Sequence, residues 1–124
     1  MKTIGLIGGM SWESTLTYYR LLNETVKTRL GGLHSAKIIL YSVDFGEVEA
    51  LMQADDWDGV ERHLSSAARA LKRAGADMIL ICTNTMHRLA EAVEAAADLP
   101  LLHIADPTAD AICHQGLGTI ALLG

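Results

Sequence analysis

Four apolar residues in succession, Met78-Ile79-Leu80-Ile81, and the thiol that ends them restrict the folds open to this chain more than any other stretch. A run this short, without polar alternation, suits a strand buried on both faces, as in parallel sheets with helices on either side. It stops at Cys82-Thr83-Asn84-Thr85, small hydrogen-bonding residues that lead into a helical pattern from Met86 or His87. A thiol therefore stands at the carboxyl end of a parallel strand, the edge at which open α/β sheets bind ligands. The amides of Thr83, Asn84 and Thr85 would open the next helix, where unpaired N–H groups and the helix dipole attract a carboxylate and favour a thiolate. On this reading Cys82 is a proton-transfer thiol beside a carboxylate pocket. On the plainer one it is a small structural residue at a strand end.

The rest of the chain alternates strand and helix signals. Thr3 to Ile7 is a short apolar strand followed by a tight turn at Gly8-Gly9-Met10. Ser11 can cap a helix whose positive end suits Glu13, with Leu16, Tyr19, Leu22, Val26 and Leu30 at helical spacing and Gly31-Gly32 as its stop. Lys37 to Ser42 reads as a second strand ending at Val43-Asp44-Phe45. A short helix over Glu47 to Met52 then runs into a polar loop, Gln53-Ala54-Asp55-Asp56. Trp57, Val60, Leu64, Ala67 or Ala68 and Leu71 share one helix face, and Gly75 lies past its end. Beyond the Met78 to Ile81 strand, the helix from Met86 or His87, rich in Ala and Glu, runs to about Ala97, ahead of Pro100. Leu101 to Ile104 reads as a fourth strand. Asp106-Pro107 supplies an N-cap and a first-turn proline for a helix to about Gln115, and Thr119 to Leu123 reads as a fifth strand. This alternation implies an α/β fold, a parallel sheet with right-handed crossovers and helices on both faces.

Composition removes several function classes. A chain of 124 residues that is 50% hydrophobic, with mean hydropathy +0.23, can bury a real core and is not disordered. Its net charge of −5 and pI near 5.4, with scattered Lys and Arg, argue for a small-molecule partner, with no nucleic acid and no membrane. The start, interrupted by Gly8-Gly9 and then Trp12-Glu13, fits neither a secretory signal nor a membrane span, which points to a cytoplasmic location. The two cysteines, Cys82 and Cys113, are too few for a disulfide framework and should stay reduced. No His, Cys or Asp spacing matches structural zinc, so no metal site is expected. A nucleotide-binding module fits poorly, because Gly5-Leu6-Ile7-Gly8-Gly9 misses the dinucleotide spacing and there is no phosphate-binding loop. His87 reads as a surface or hydrogen-bonding residue more readily than as a proton shuttle, and His103 as a satisfied core imidazole. Asp44 could orient an ammonium or hold a loop. Finally, Thr119-Ile120-Ala121-Leu122-Leu123-Gly124 repeats the pattern of Thr3-Ile4-Gly5-Leu6-Ile7-Gly8, which either marks a duplication or is the chance likeness of two parallel strands.

Four stretches, Gly8-Gly9-Met10-Ser11-Trp12-Glu13-Ser14-Thr15, Ser42-Val43-Asp44-Phe45, Cys82-Thr83-Asn84-Thr85-Met86-His87 and Leu102-His103-Ile104-Ala105-Asp106, together resemble the aspartate/glutamate racemase superfamily, most closely its bacterial broad-specificity amino-acid racemases. The resemblance runs the length of the chain with the motifs in order. It implies a flavodoxin-like lobe, one of two pseudo-symmetric lobes that face each other across the active site and each supply one cysteine. Residues 1–116 would be the N-terminal lobe, and 117–124 the first strand of the second. It further implies a cofactor-independent isomerase, since inverting an α-carbon takes two groups of matched acidity, one thiolate and one thiol, on opposite faces. Cys82 matches the family's first-lobe cysteine. Thr83, Asn84 and Thr85 match its substrate-carboxylate contacts, Met10 lies on the loop lining that pocket, and Met52 or Gln53 occupies a region that encloses the substrate in relatives.

The family's second cysteine follows the second lobe's own strand and has no counterpart here. Cys113, in the second half of a helix leaving the ligand edge, reads as a small core residue remote from Cys82. These 124 residues alone are therefore expected to racemise poorly. A lobe built to pack against another should associate, most simply as a homodimer. Hydantoin racemisation, maleate isomerisation or malonate decarboxylation on the same scaffold is the alternative chemistry, and the Gly8 to Thr15 loop favours the amino-acid racemases.

Overall fold

The computed structural model describes residues 1–122. Three parallel strands, β1 (Ile4–Gly8), β2 (Ile38–Ser42) and β3 (Met78–Ile81), form a sheet in the order β2-β1-β3. Ile4 lies opposite both Ile38 and Met78, so β1 is the central strand and its alternate side chains feed two cores. On one face Ile7, Ile79 and Ile81 pack with Val48, Val60, Leu64, Leu71 and Val93. These come from α2 (Phe45–Gln53), α3 (Trp57–Arg73) and α4 (Ala90–Ala97). On the other face Leu6, Leu80 and Cys82 meet Tyr18 and Leu22 of α1 (Trp12–Leu30). Helices thus cover both faces of an open parallel sheet in a flavodoxin-like α/β arrangement.

The expected apolar face of α3 is the one it buries: Val60, Leu64, Ala67 and Ala68 have no exposed surface and Leu71 almost none. Asp56 caps this helix by accepting from the Gly59 amide at 2.8 Å. A fully buried Leu or Val contributes about 1.5–3 kcal/mol, so this stripe is the main anchor of the larger core. Asp44 caps α2 by accepting from the Gly46 amide at 2.9 Å, so of its two readings the structure shows loop-holding. No helix of the described residues is long and apolar enough to cross a membrane.

Several expected elements take another form. The apolar stripe assigned to α1 holds at Leu22 and Val26, which are half-buried, but Leu16, Tyr19 and Leu30 are more than half exposed, and buried Thr15 and half-buried Tyr18 face the sheet instead. With two interleaved apolar sets, spacing alone could not choose between them. Leu101 to Ile104 reduces to a single parallel bridge between Leu101 and Ile79, flanked by the Leu102 amide donating to Ile79 O at 3.0 Å. The following helix, α5 (Ala105–His114), starts too early to leave a strand there. Its N-cap is Ile104, and Asp106 and Pro107 fall within its first turn. After β3, a five-residue 3-10 helix, Thr85–Leu89, precedes α4. Thr119 to Leu122 shows no ladder pairing, and Leu123, the end of the expected fifth strand, lies outside the described residues. Cys113 is exposed on α5, a helix without a buried residue, and is therefore no core residue.

Candidate functional site

At the carboxyl ends of β1 and β3 lies a cavity of about 350 Å³ lined by Met10, Ser11, Ser14, Tyr18, Cys82, Thr83, Asn84 and Thr85. Two crossings of the chain build it. The first is the turn out of β1. Gly8 passes against α1, where a Cβ would sit 2.5 Å from Thr15 Cγ2. Gly9, at φ +92°, presses on the Val43 backbone while its amide donates to Thr15 Oγ1 at 3.0 Å. These contacts are tighter than a generic turn needs, and they bring Met10, 3% exposed, over the end of the sheet. The second is the end of β3. The Cys82 amide donates to Ile7 O at 2.9 Å, extending the ladder, and Ser14 Oγ donates to Cys82 O at 2.6 Å, tying α1 to the strand end.

Cys82 therefore forms the cavity floor and has no exposed surface. Burial pushes its thiol up to about 12, against the expectation that the helix start would favour the thiolate. The physical reason lies in its neighbours. Leu6 and Leu80 pack with Cys82 in one apolar cluster, and the element that follows is a short 3-10 segment, with little dipole to offset the desolvation. Burial, and then the charge of a nearby Cys82 thiolate, raise the pKa of the Tyr18 phenol. Burial thus favours the protonated thiol.

The wall beside it is the Thr83-Asn84-Thr85 segment. Among the described residues, no protein group accepts from the amides of Thr83, Asn84 or Thr85. Three neighbouring N–H groups without protein partners suit an anionic oxygen. The expected juxtaposition of thiol, Thr-Asn-Thr segment and Met10 is thus present in one cavity. Met52 and Gln53 do not join it: Met52 is half-buried against the α3 core, and exposed Gln53 makes a 3.4 Å contact with Glu49. His87 is buried and hydrogen-bonded, with Nδ1 2.8 Å from Thr83 O, and is no surface residue. His103 is half-buried and accepts the Ala105 amide at Nδ1, 3.2 Å.

Sequence reasoning missed Ser14 and Tyr18 as cavity residues. The signal was available, since Ser11, Ser14 and Tyr18 are spaced three and four apart and share a face with buried Thr15. A larger hollow of about 500 Å³ lies between α1 and Leu102 and Ile104, walled by residues such as Leu21, Leu22 and Val26. Its lining is mainly apolar, with the hydroxyls of Thr17, Tyr18 and Thr25 but no thiol, imidazole or carboxylate, so the smaller cavity is the better chemical candidate.

A family model described as Asp/Glu/hydantoin racemase matches residues 7–124. Among solved structures, a Yersinia pestis protein provisionally described as an Asp/Glu racemase superposes with a TM-score of 0.91 and 63% identity, over 94% of this chain and 50% of that one. An aspartate racemase homologue from Pyrococcus horikoshii OT3 gives a TM-score of 0.85 and 35% identity, again over 94% and 50%. The chain spans about half the length of these relatives.

Proposed function

The chain belongs to the Asp/Glu/hydantoin racemase family, and from that premise we propose that it forms one lobe of a cofactor-independent amino-acid racemase in which Cys82 is one of two proton-transfer groups. The observation that carries this reading is the placement of Cys82 at the floor of the cavity walled by the unpaired amides of Thr83, Asn84 and Thr85. A substrate carboxylate on those amides has its charge offset, which lowers the cost of enolate-like charge developing at the neighbouring carbon. A base on the far face of the α-carbon removes its proton, the electron pair moves into the carboxylate, and the Cys82 thiol returns a proton to the near face. Cys82 is then a thiolate and the far group is protonated, so the reverse reaction starts from that state.

Protonated Cys82 suits the donor role in the first direction. Among the described residues the cavity is lined by one cysteine, and Cys113 on α5 is not part of it. The second group would come from an opposing lobe, and by themselves these 124 residues would exchange α-protons slowly.

The test is α-proton exchange in D2O, followed by NMR over a panel of D- and L-amino acids, including aspartate and glutamate, together with a hydantoin. The Yersinia pestis relative serves as the two-lobe control. Exchange by that relative should be abolished by alanine at its counterpart of Cys82, and the present chain should be far slower. Equal rates for the two would sink the two-lobe reading, and exchange that survives Cys82→Ala would remove the cysteine from the mechanism. Exchange confined to the hydantoin would assign the other chemistry in the family's description.

A further inference from the structure

His87 is 8% exposed and lies in the 3-10 segment that begins at Thr85, the last residue of the cavity lining. Its Nδ1 lies 2.8 Å from Thr83 O and 3.3 Å from Asn84 O. A carbonyl oxygen can only accept, so Nδ1 carries the proton, and in the neutral ring Nε2 is a bare lone pair. That Nε2 is buried and has no partner among the described residues. An apolar side chain could fill the same space without burying an unpaired acceptor, so packing alone does not account for an imidazole here. The one polar service the ring performs is its N–H bond to these two carbonyls.

Those carbonyls are the far ends of the donors in the cavity wall. Thr83 C=O and Asn84 N–H belong to one planar trans peptide unit and point in opposite directions, as do Asn84 C=O and Thr85 N–H. Drawing the two carbonyls toward the imidazole therefore turns the two N–H groups away from it, on the side where Asn84 and Thr85 line the cavity. A donor on the carbonyl also polarises the amide of the same unit, which strengthens it toward an anion. The ring is itself held in place: His103 meets it edge-on, with centroids 4.6 Å apart and planes at 62°. His103 is fixed in turn by accepting the Ala105 amide at 3.2 Å. Burial, and secondarily the neighbouring His103, lower the pKa of His87 and keep the ring neutral despite the two carbonyls.

We infer that His87 is a positioning residue: its Nδ1–H holds the Thr83–Asn84 peptide plane and, together with its own backbone N–H donating to Asn84 O at 3.1 Å, the Asn84–Thr85 plane, so that their N–H groups form a preorganised carboxylate cradle beside Cys82. The last step, carboxylate binding, rests on the racemase reading; the tautomer and the peptide orientation do not.

Two measurements on isotope-labelled protein separate these parts. Long-range proton–nitrogen correlation spectra should show His87 protonated at Nδ1 and bare at Nε2, and the opposite tautomer would overturn the clamp. His87→Asn places an amide N–H2 near the position of Nδ1, whereas His87→Leu has no donor. The backbone amide resonances of Asn84 and Thr85 should stay near their wild-type positions in His87→Asn and move in His87→Leu. With succinate and L-aspartate as probes, His87→Leu should weaken binding about tenfold, the equivalent of roughly one charge-assisted hydrogen bond, and His87→Asn should restore most of it. If the wild-type protein binds neither probe but the tautomer and amide shifts follow this pattern, the clamp stands and the carboxylate reading fails. If His87→Leu does not fold, displaced Asn84 and Thr85 resonances in His87→Asn would refute the clamp.

Discussion

Replacing Gly9 with alanine should unfold the site before it touches any catalytic group. A Cβ at Gly9 would overlap the Val43 carbonyl oxygen, lie 2.8 Å from the Val43 nitrogen and 2.9 Å from Ser42 Oγ, all at a φ of +92°. Two costs combine. An L-residue in this region loses about 1–2 kcal/mol, and forcing a methyl group against backbone that cannot rotate away costs about 1–3 kcal/mol more. A loss of about 2–5 kcal/mol is a large share of the roughly 5–15 kcal/mol that holds a domain folded. Gly75 is the internal control: its φ of +95° is close to that of Gly9, but a Cβ there meets nothing within 4 Å. Gly75→Ala should therefore show the conformational cost alone, about 1–2 kcal/mol. Urea unfolding followed by far-UV circular dichroism, with slopes of about 1–3 kcal/mol/M, resolves the difference as a midpoint lower by roughly 1 M in Gly9→Ala. Because Gly9 holds the turn carrying Met10 and Ser11 over the sulfur, the same variant should also alkylate faster at Cys82. Equal midpoints for the two variants would refute the argument that close approach to Val43 is what the turn requires.

Other outcomes follow from the same geometry. With its pKa pushed up to about 12, Cys82 should react with iodoacetamide far more slowly than exposed Cys113 at pH 8, and its rate should climb as pH rises toward that value; peptide mapping by mass spectrometry measures both. Preferential labelling of Cys82 at pH 8 would show that the sulfur is ionised after all. Asp56→Ala removes the acceptor for the Gly59 amide and should cost about 1 kcal/mol in thermal or urea unfolding, whereas an unchanged midpoint would mean that water replaces the cap fully. Since the folded-state pKa of His87 is lowered, the unfolded chain binds its proton first, near pH 6.5. Stability should hold above that pH and fall as pH drops from it toward the folded-state pKa. The acid slope should shrink in His87→Leu. Leu16 and Tyr19 are exposed on α1, and an apolar hollow lies beside Leu102 and Ile104, so the chain should self-associate. A monomeric sedimentation profile at high concentration would count against that.

The family match, over residues 7–124, agrees with motifs visible as plain text, and the reason is local. A strand buried on both faces has to be apolar throughout, a helix needs a cap, and a turn with positive φ needs glycine. Met78 to Ile81, Asp56 and Gly9 could therefore be read singly. The buried stripe of α3 was equally legible, because a strongly amphipathic helix has one solution. α1 was legible only in part: Leu22 and Val26 lie on the inner side where spacing put them, but Leu16 and Tyr19 compete with Thr15 and Tyr18, and only contact with Leu6 and Leu80 decides which set faces inward.

Sequence by itself determined that a thiol and three potential donors end a buried parallel strand, since covalent order places them there whatever else happens. Tertiary structure decided what that thiol is. The ionisation of Cys82 depends on how completely Leu6, Leu80 and α1 strip water from it, and on how short the turn after it is. It likewise decided that Ser14 and Tyr18 belong to the cavity, that Met52 and Gln53 do not line it, and that the His87 ring bonds the Thr83 carbonyl. Solvation and orientation are sums over neighbours distant in the chain, so they come into being only when the chain has closed on itself.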